Sequence, residues 1–409
     1  MPFMPFQIVG IWLRGLLALT ILGGGIALIR QWERDRHVVV QPVERAIPDA
    51  PDATAARHVE TIPLGFNRPT AELLGGLTLL FLGLGGGSLA YPLLRRTGHD
   101  DPKAERTGEV HHIQRPDGSD LHVECYGPAD APPIVLTHGW GANSTEWYYA
   151  KKHLAGKYRL IVWDLPGLGQ STRPTNNDYS LENLAQDLHA VLGVAGGRAA
   201  LLLGHSIGGM IMLTFCRLHP EALGPRVSGL VLVHTTYTNP VKTTKYRELW
   251  TALQGPVVVP LCHLMIWLSP LVWVMNWLSY FNGSAHRSTD KSSFCQTESR
   301  GQLDFATRFM PKAWPGVLAR GMLGMLRYDA AETLGTVTVP ALVIAGDQDE
   351  TTNPDASVVM AEAIPRTELV TLAPGKHMGL IEHHTRFVEV VDAFAQSVAR
   401  REPITSKIE

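Results

Sequence analysis

Leu203-Gly204-His205-Ser206-Ile207-Gly208-Gly209 is the stretch that decides the fold. The apolar run Ala199 to Leu203 precedes it, and a helical pattern from Met210 to Leu218 follows. Gly-x-Ser-x-Gly therefore falls where a buried strand turns sharply into a helix. Such a turn strains the Ser backbone and tolerates only small neighbours, which Gly204 and Gly208 supply. The Ser206 hydroxyl is expected to stand clear of the sheet. The N–H of Ile207, opening the helix, is expected to point to where negative charge would develop.

Working outward, the pattern alternates strands with helices. Val110 to Gln114 and Leu121 to Tyr126 flank the turn sequence Pro116-Asp117-Gly118-Ser119 and read as a hairpin. Apolar runs follow at 134–137, 159–163, 200–203, 229–233, 341–345 and 368–372. Helical stretches lie near 144–155, 180–193, 207–219, 354–363 and 383–399, with Ser180 as an N-cap. This alternation predicts an α/β fold: a mostly parallel sheet covered on both faces, with chemical groups at the carboxyl ends of its strands.

Three of those ends carry suitable side chains. His138-Gly139-Trp140 follows 134–137 and offers the N–H of Trp140 as a second oxyanion donor. Gly346-Asp347-Gln348-Asp349 follows 341–345 and offers a carboxylate. Asp349 is the preferred acid, from its Gly-x-x-Asp spacing and Pro354 opening the next helix; Asp347 and Asp329 are the alternatives. Pro374-Gly375-Lys376-His377 follows 368–372 and offers His377 as a base. Asp164, in the Gly- and Pro-rich loop 164–171, is expected to be structural. His383 and His384 open a helix and are expected to be exposed.

On these motifs, residues 110–400 resemble the α/β-hydrolase superfamily in its esterase, lipase and C–C hydrolase branch. The matching stretches are His138 to Gly141, Asp164 to Ser171, Gly204 to Gly209, Gly346 to Asp349, and Gly375 to Glu382. Lys376 departs from the usual Gly-His flank. The resemblance implies Ser206 as nucleophile, His377 as base and Asp349 as its orienting acid, in the order expected for that fold. It implies hydrolysis of a carboxylic ester through an acyl-enzyme. C–C hydrolase, amidase and cofactor-free haloperoxidase chemistry, or a binding protein that kept the fold, stay open, since fold and triad do not fix substrate. Ser at the turn argues against the carboxylate-nucleophile enzymes of the same fold. No cofactor or metal is called for. Cys125, Cys216, Cys262 and Cys295 show neither paired nor metal-ligand spacing.

The first hundred residues lie outside this resemblance. Ile8 to Ile29 is almost wholly apolar and rises roughly 33 Å as a helix, enough for a bilayer core. No Lys or Arg precedes it, and Arg30 to Arg36 follow, which favours a retained anchor over a cleaved signal. Leu73 to Leu94 is a second run of spanning length, and Gly83 with Gly87 gives it a small-x-x-x-small face. The reading is a membrane hairpin over 1–105 with transmembrane helices near 8–29 and 73–94, joined by a Pro-rich connector. The hydrolase domain follows over 106–409. Basic residues on the two sides of the hairpin balance, so charge does not choose its orientation. A net charge of −2 gives nucleic acid no reason to bind. The partners expected are the lipid bilayer and a small-molecule or lipid ester.

More than a hundred residues separate 229–233 from 341–345, too many for one crossover, so a cap is expected over about 236–335. Within it, Val257 to Phe281 is apolar and aromatic, and Pro260 and Pro270 divide it. Trp267, Trp273 and Trp277 there are read either as the cap's own core or as a lid that lines an acyl pocket or touches the bilayer. A third transmembrane segment is the remaining reading.

Overall fold

The structure, a computed structural model, describes residues 5–35 and 68–400. The connector between the two N-terminal helices, residues 36–67, lies outside the described residues. Those helices are α1 (Pro5–Asp35) and α2 (Arg68–Leu94). They cross closely where Gly25 meets Gly76: a Cβ on Gly25 would sit 3.1 Å from the Gly76 carbonyl oxygen. Further along, Gly83 of α2 faces Leu22 of α1. Small residues thus let the two backbones approach, as in lipid-embedded helix pairs.

The next elements are β1 (Glu109–Gln114), β2 (Asp120–Tyr126), β3 (Pro133–Thr137), α3 (Tyr148–Leu154) and β4 (Arg159–Trp163). Then come α4 (Leu181–Val191), β5 (Ala200–His205), α5 (Ile207–Leu218) and β6 (Val227–Val233). They build one eight-stranded sheet in the order β1-β2-β4-β3-β5-β6-β7-β8, where the last two strands follow the cap. The β1–β2 and β2–β4 pairings are antiparallel and all others parallel. Every residue of β3 and β5 is buried, which explains why these strands read as unbroken apolar runs. Their period of two divides the core. Val135, Ile161, Leu202 and Leu232 pack with α4 and α5 on one face. Leu136, Val162, Leu203 and Val231 pack on the other, with helix residues such as Phe387 and Val391. Ser180 caps α4 by accepting from the Asn183 N–H.

Seven helices intervene between β6 and the next strand: α6 (Arg247–Leu253), α7 (Val259–Trp267), α8 (Ser269–Phe281), α9 (Ser284–Ser293), α10 (Arg300–Thr307), α11 (Phe309–Lys312) and α12 (Pro315–Met325). Pro270 sits in the first turn of α8, where its missing N–H costs nothing, whereas Pro260 follows a π-helical turn at Gln254–Val258 that joins α6 to α7. The chain closes with β7 (Ala341–Gly346), α13 (Pro354–Ala363), β8 (Thr367–Leu372), α14 (Gly379–Glu382) and α15 (His384–Arg400). Among the described residues, three helical stretches are long and apolar enough to cross a membrane: Val9–Asp35, Arg68–Gly87 and Arg247–Trp267. The third runs through α6 and α7, so it begins ahead of the apolar stretch that suggested it.

The N-terminal hairpin docks on the cap. Met275 of α8 fills the space beside Gly15 of α1, and Arg14 donates to Ser288 Oγ at 2.8 Å. The linker is tied down as well. Arg95 pairs with Asp290 and with Glu298, the latter at 2.8 Å. Arg106 pairs with Glu124 at 2.5 Å and Asp164 at 2.8 Å, both buried carboxylates. The ion-pair cluster around Arg106 thus lies wholly on the hydrolase side of a 105/106 boundary. Deleting residues 1–94 should uncover the Val272 and Met275 face of α8 and yield a protein that aggregates without detergent on size-exclusion chromatography. A monodisperse, detergent-free monomer would show that the cap does not need the hairpin.

Candidate active site

Ser206 joins β5 to α5 with φ 54° and ψ −118°, a left-handed conformation that L residues rarely adopt. Its backbone is held from two sides: the Ser206 N–H donates to the Val233 carbonyl at 2.9 Å, and Thr235 Oγ1 donates to the Ser206 carbonyl at 2.6 Å. The two flanking glycines are sterically required. A Cβ on Gly208 would collide with the Thr137 carbonyl of β3, and one on Gly204 would lie 2.5 Å from the Gly208 carbonyl carbon.

The carboxyl ends of β7 and β8 bring Asp349 and His377 together. His377 Nδ1 lies 2.7 Å from Asp349 Oδ2, and both side chains are buried. Asp349 is held by three more donors: the Thr351 N–H at 2.8 Å and Thr352 N–H at 3.1 Å on Oδ1, and Thr352 Oγ1 at 2.9 Å on Oδ2. Burial alone would raise the Asp349 carboxyl, but His377 and His234 beside it hold it far below the usual carboxylate range. Burial pushes the His377 imidazole down to about 4, against the pull of Asp349. At neutral pH the pair is thus carboxylate and neutral imidazole. His377 Nε2 is buried and has no partner among the described residues. The His377 ring lies 5.0 Å from that of His205, the residue directly before Ser206.

Asp347 and Asp329 do other work. Asp347 is exposed and accepts the Gly375 N–H at 2.7 Å, bracing the loop that carries His377. Asp329 accepts from Thr238 Oγ1 at 3.0 Å and the Ala331 N–H at 3.0 Å, closing a turn at the cap's end. Asp164 takes the N–H groups of Ser144 and Gln170 at 2.7 and 2.8 Å as well as Arg106, a structural load. Lys376 reaches the Lys291 carbonyl of α9 at 2.7 Å, and the Met378 N–H bonds to the Ser293 carbonyl at 3.0 Å, so the histidine loop is fastened to the cap. His384 is half-buried and stacks on Tyr149 with centroids 3.7 Å apart, rather than standing free.

Trp140 and Ile207 follow β3 and Ser206. Among the described residues neither backbone N–H donates to a carbonyl oxygen. The Trp140 indole is buried; its Nε1 donates to the Leu318 carbonyl at 3.1 Å, and the ring rests where Gly321 lacks a side chain. Helix α12 is thereby fixed over the loop that follows β3.

The cap tryptophans differ in exposure. Helix α8 turns Val272, Met275 and Ser279 inward. Trp273 stands on the opposite face, 39% exposed, and Trp267 is 77% exposed. Trp277 is half-buried among aromatic neighbours, 6.3 Å from Trp273 and 5.6 Å from Phe281 by ring centroids.

Several buried groups carry no motif and escape a reading of the sequence. Glu146 Oε1 meets His205 Nδ1 at 3.0 Å, and its Oε2 accepts the Gly139 N–H at 2.9 Å. His205 Nε2 in turn lies 3.1 Å from the His377 carbonyl oxygen. One carboxylate thus ties the loop after β3 to the serine turn and, through His205, to the histidine loop. Burial would raise Glu146, yet the adjacent His205 imidazole holds it at about 2. His234 is a second imidazole on Asp349, with Nδ1 3.5 Å from Oδ2.

Comparison with known proteins agrees with this layout. A family model described as alpha/beta hydrolase fold matches residues 132–253. A pimeloyl-acyl-carrier-protein methyl ester esterase of Aeromonas hydrophila is 28% identical over 276 residues, 67% of this chain and 98% of that protein. The solved esterase of Exiguobacterium antarcticum superposes with TM-score 0.58 at 22% identity, covering 70% of this chain and all of that one. This is the alpha/beta-hydrolase fold. A bacterial membrane phospholipase A also shares it, with TM-score 0.56 at 20% identity, covering 81% of this chain and 92% of that chain.

Removing Glu146 from its buried pair should be costly, since it strands His205 and the Gly139 N–H. Glu146→Ala is expected to lower unfolding free energy by about 3 kcal/mol. Denaturant titration of the detergent-solubilised protein measures this. A loss of about 0.5 kcal/mol, typical of an exposed pair, would contradict the buried-network description.

Proposed function

We propose that the chain is a membrane-anchored serine hydrolase that cleaves carboxylic esters, apolar or lipid-like in kind, through an acyl-enzyme on Ser206. The observation that carries this reading is the buried Asp349–His377 pair, with Nε2 unpartnered among the described residues and the ring 5.0 Å from that of His205, which precedes the serine of a strained strand-to-helix turn. The relative from Aeromonas hydrophila is a methyl ester esterase, and the one from Exiguobacterium antarcticum an esterase, which supports an ester as substrate.

His377 Nε2 takes the Ser206 proton as Oγ attacks the ester carbonyl. Asp349 holds the Nδ1–H tautomer and stabilises the imidazolium that forms. The N–H groups of Ile207 and Trp140 face the developing oxyanion, each worth on the order of 3 kcal/mol. His377 returns the proton to the leaving alcohol. Water, deprotonated by the same Nε2, then adds to the acyl carbon, and the acid leaves as Ser206 is restored. Helices α1 and α2 are long and apolar enough to anchor this domain in a bilayer.

Ser206→Ala is expected to abolish labelling by a fluorophosphonate probe while the protein still elutes as the wild type does. Persistent labelling would place the nucleophile elsewhere. A non-enzymatic protein of this fold would show no labelling even as wild type.

Because His377 must be neutral to accept a proton, its lowered pKa of about 4 sets the sign of the pH dependence. kcat/KM should stay level as pH falls through 6.5 and drop only nearer 4. An acid limb centred at 6.5 would mean that His377 is not shielded from water during catalysis. Asp349→Asn should lower kcat by about 10⁴-fold through the wrong imidazole tautomer, and Asp347→Asn far less. Equal losses would overturn the choice of acid.

A further inference from the structure

The cap contains a long stretch without formal charge: no Asp, Glu, Lys or Arg occurs between Glu248 and Arg287. Helix α8 lies inside it and has two distinct faces. Leu271, Trp273, Val274 and Phe281, at helical spacing, are each about two-fifths exposed (41%, 39%, 42% and 43%). The inward face meets the hairpin at two points. Met275 packs against Gly15 of α1, and the Asn282 main chain, at the end of α8, approaches Gly86 of α2.

Those two points fix how α8 crosses the hairpin. The contacts of Gly25 with Gly76, and of Leu22 with Gly83, set α1 antiparallel to α2 in a register that brings Gly15 to the level of Gly86. Seven residues from Met275 to Asn282 rise about 10 Å, close to the usual 8–10 Å between packed helix axes. Helix α8 therefore passes from α1, at Met275, over to α2, at Asn282.

Length then decides where that level falls, given the membrane-anchored reading above, on which this inference rests. A bilayer core is about 30 Å thick. On α2, polar contacts bound the apolar span. Gln31 and Arg68 hold Glu72 at one end, and Arg95 with Asp290 and Glu298 forms the other. The helix between Glu72 and Arg95 rises about 34 Å, which fits. The part that stands clear of the cap, from Leu73 to Gly83, rises only about 16 Å. A bilayer spanned by α2 must therefore take in the level at which α8 crosses.

We propose that α8, led by Trp267, lies in the plane of the membrane within the acyl region next to the headgroups. The apolar face of the cap then has the lipid leaflet as its partner. An in-plane helix of this kind seats its apolar side roughly 5–10 Å below the headgroup boundary. The outward tryptophans and aliphatics meet acyl chains there, Arg95 stays at the polar edge, and Arg14, beside Gly15 at the crossing, donates to Ser288 Oγ. Helix α12 packs on the start of α8, where a Cβ on Gly316 would lie 2.8 Å from Ser269 Oγ. The element fixed over the loop after β3 thus rests on the one in contact with lipid.

The test places an environment-sensitive fluorophore on single cysteines of the full chain in phosphatidylcholine vesicles. Cys295→Ser removes the partly exposed native thiol, and the other three are buried. Val274→Cys, with Leu271→Cys as a second position, reports on α8. Phe81→Cys, 52% exposed on α2, reports on the hairpin, and Val110→Cys, 50% exposed on β1, on water. Both α8 positions should lose emission to nitroxide lipids, most with the nitroxide near the headgroup, and resist iodide. Phe81 should be quenched most by nitroxide at the chain end. If the α8 positions behave like Val110 while Phe81 is quenched by lipid, the cap does not enter the bilayer, although the anchor stands. If Phe81 too is quenched only by iodide, the anchored reading falls, and this inference with it.

Discussion

The strained backbone of Ser206 is the constraint on which the rest of the molecule depends. A left-handed serine costs on the order of 1–3 kcal/mol and persists only where its surroundings over-determine it. Here they do. Strand β5 stands near the middle of the sheet between β3 and β6, so the turn is gripped by the Thr137 backbone on one side and by Val233 and Thr235 on the other. Moving Ser206 would require moving three strands. The parallel order of β7 and β8 also brings Asp349 and His377 to the same edge, because the loops that carry them leave from carboxyl ends.

Edges alone do not align side chains within an ångström or so. That work falls to buried charge. Asp349 is satisfied by four donors and Glu146 by two, so each carboxylate is fixed in orientation before any substrate arrives. Such networks are poor evidence for net stability, since desolvation consumes most of the Coulombic gain. Their effect is specificity. With Glu146 holding Gly139 and His205, and His205 abutting the His377 carbonyl, the loops after β3, β5 and β8 are tied to one another.

What was legible in the sequence follows from local physics. Buried parallel strands write unbroken apolar runs, so β3 to β7 were readable as strands, while the edge strand β8 is exposed or half-buried along most of its length. The Gly-x-Ser-x-Gly turn, the Gly-x-x-Asp loop and the loop bearing His377 each sit just after such a run. The over-long gap between β6 and β7 announced a cap. Other features arise only from packing. Glu146 lies in a short helical segment that reads as ordinary, and nothing local says it will meet His205 from another loop. Trp267, Trp273 and Trp277 announced an apolar purpose but not a direction. Whether a helix turns a tryptophan in or out depends on its neighbours, here Gly15 and Gly86 of the N-terminal hairpin. For the same reason no local pattern announces that the hairpin docks on α8, with Met275 beside Gly15.

Seen together, the cap links two environments. One side fastens to the loop after β3 through α12 and Trp140, and the other carries an uncharged aromatic surface beside two helices of spanning length. An apolar ester held in a membrane would meet both. The covalent step remains the centre of this account, and trapping the acyl-enzyme tests it most directly. Rapid acid quench of the detergent-solubilised protein during turnover of a p-nitrophenyl octanoate, followed by peptide mass spectrometry, should find one octanoyl group on the peptide containing Ser206, together with a burst of nitrophenol. Turnover with no burst, or an octanoyl group on any other residue, would contradict it.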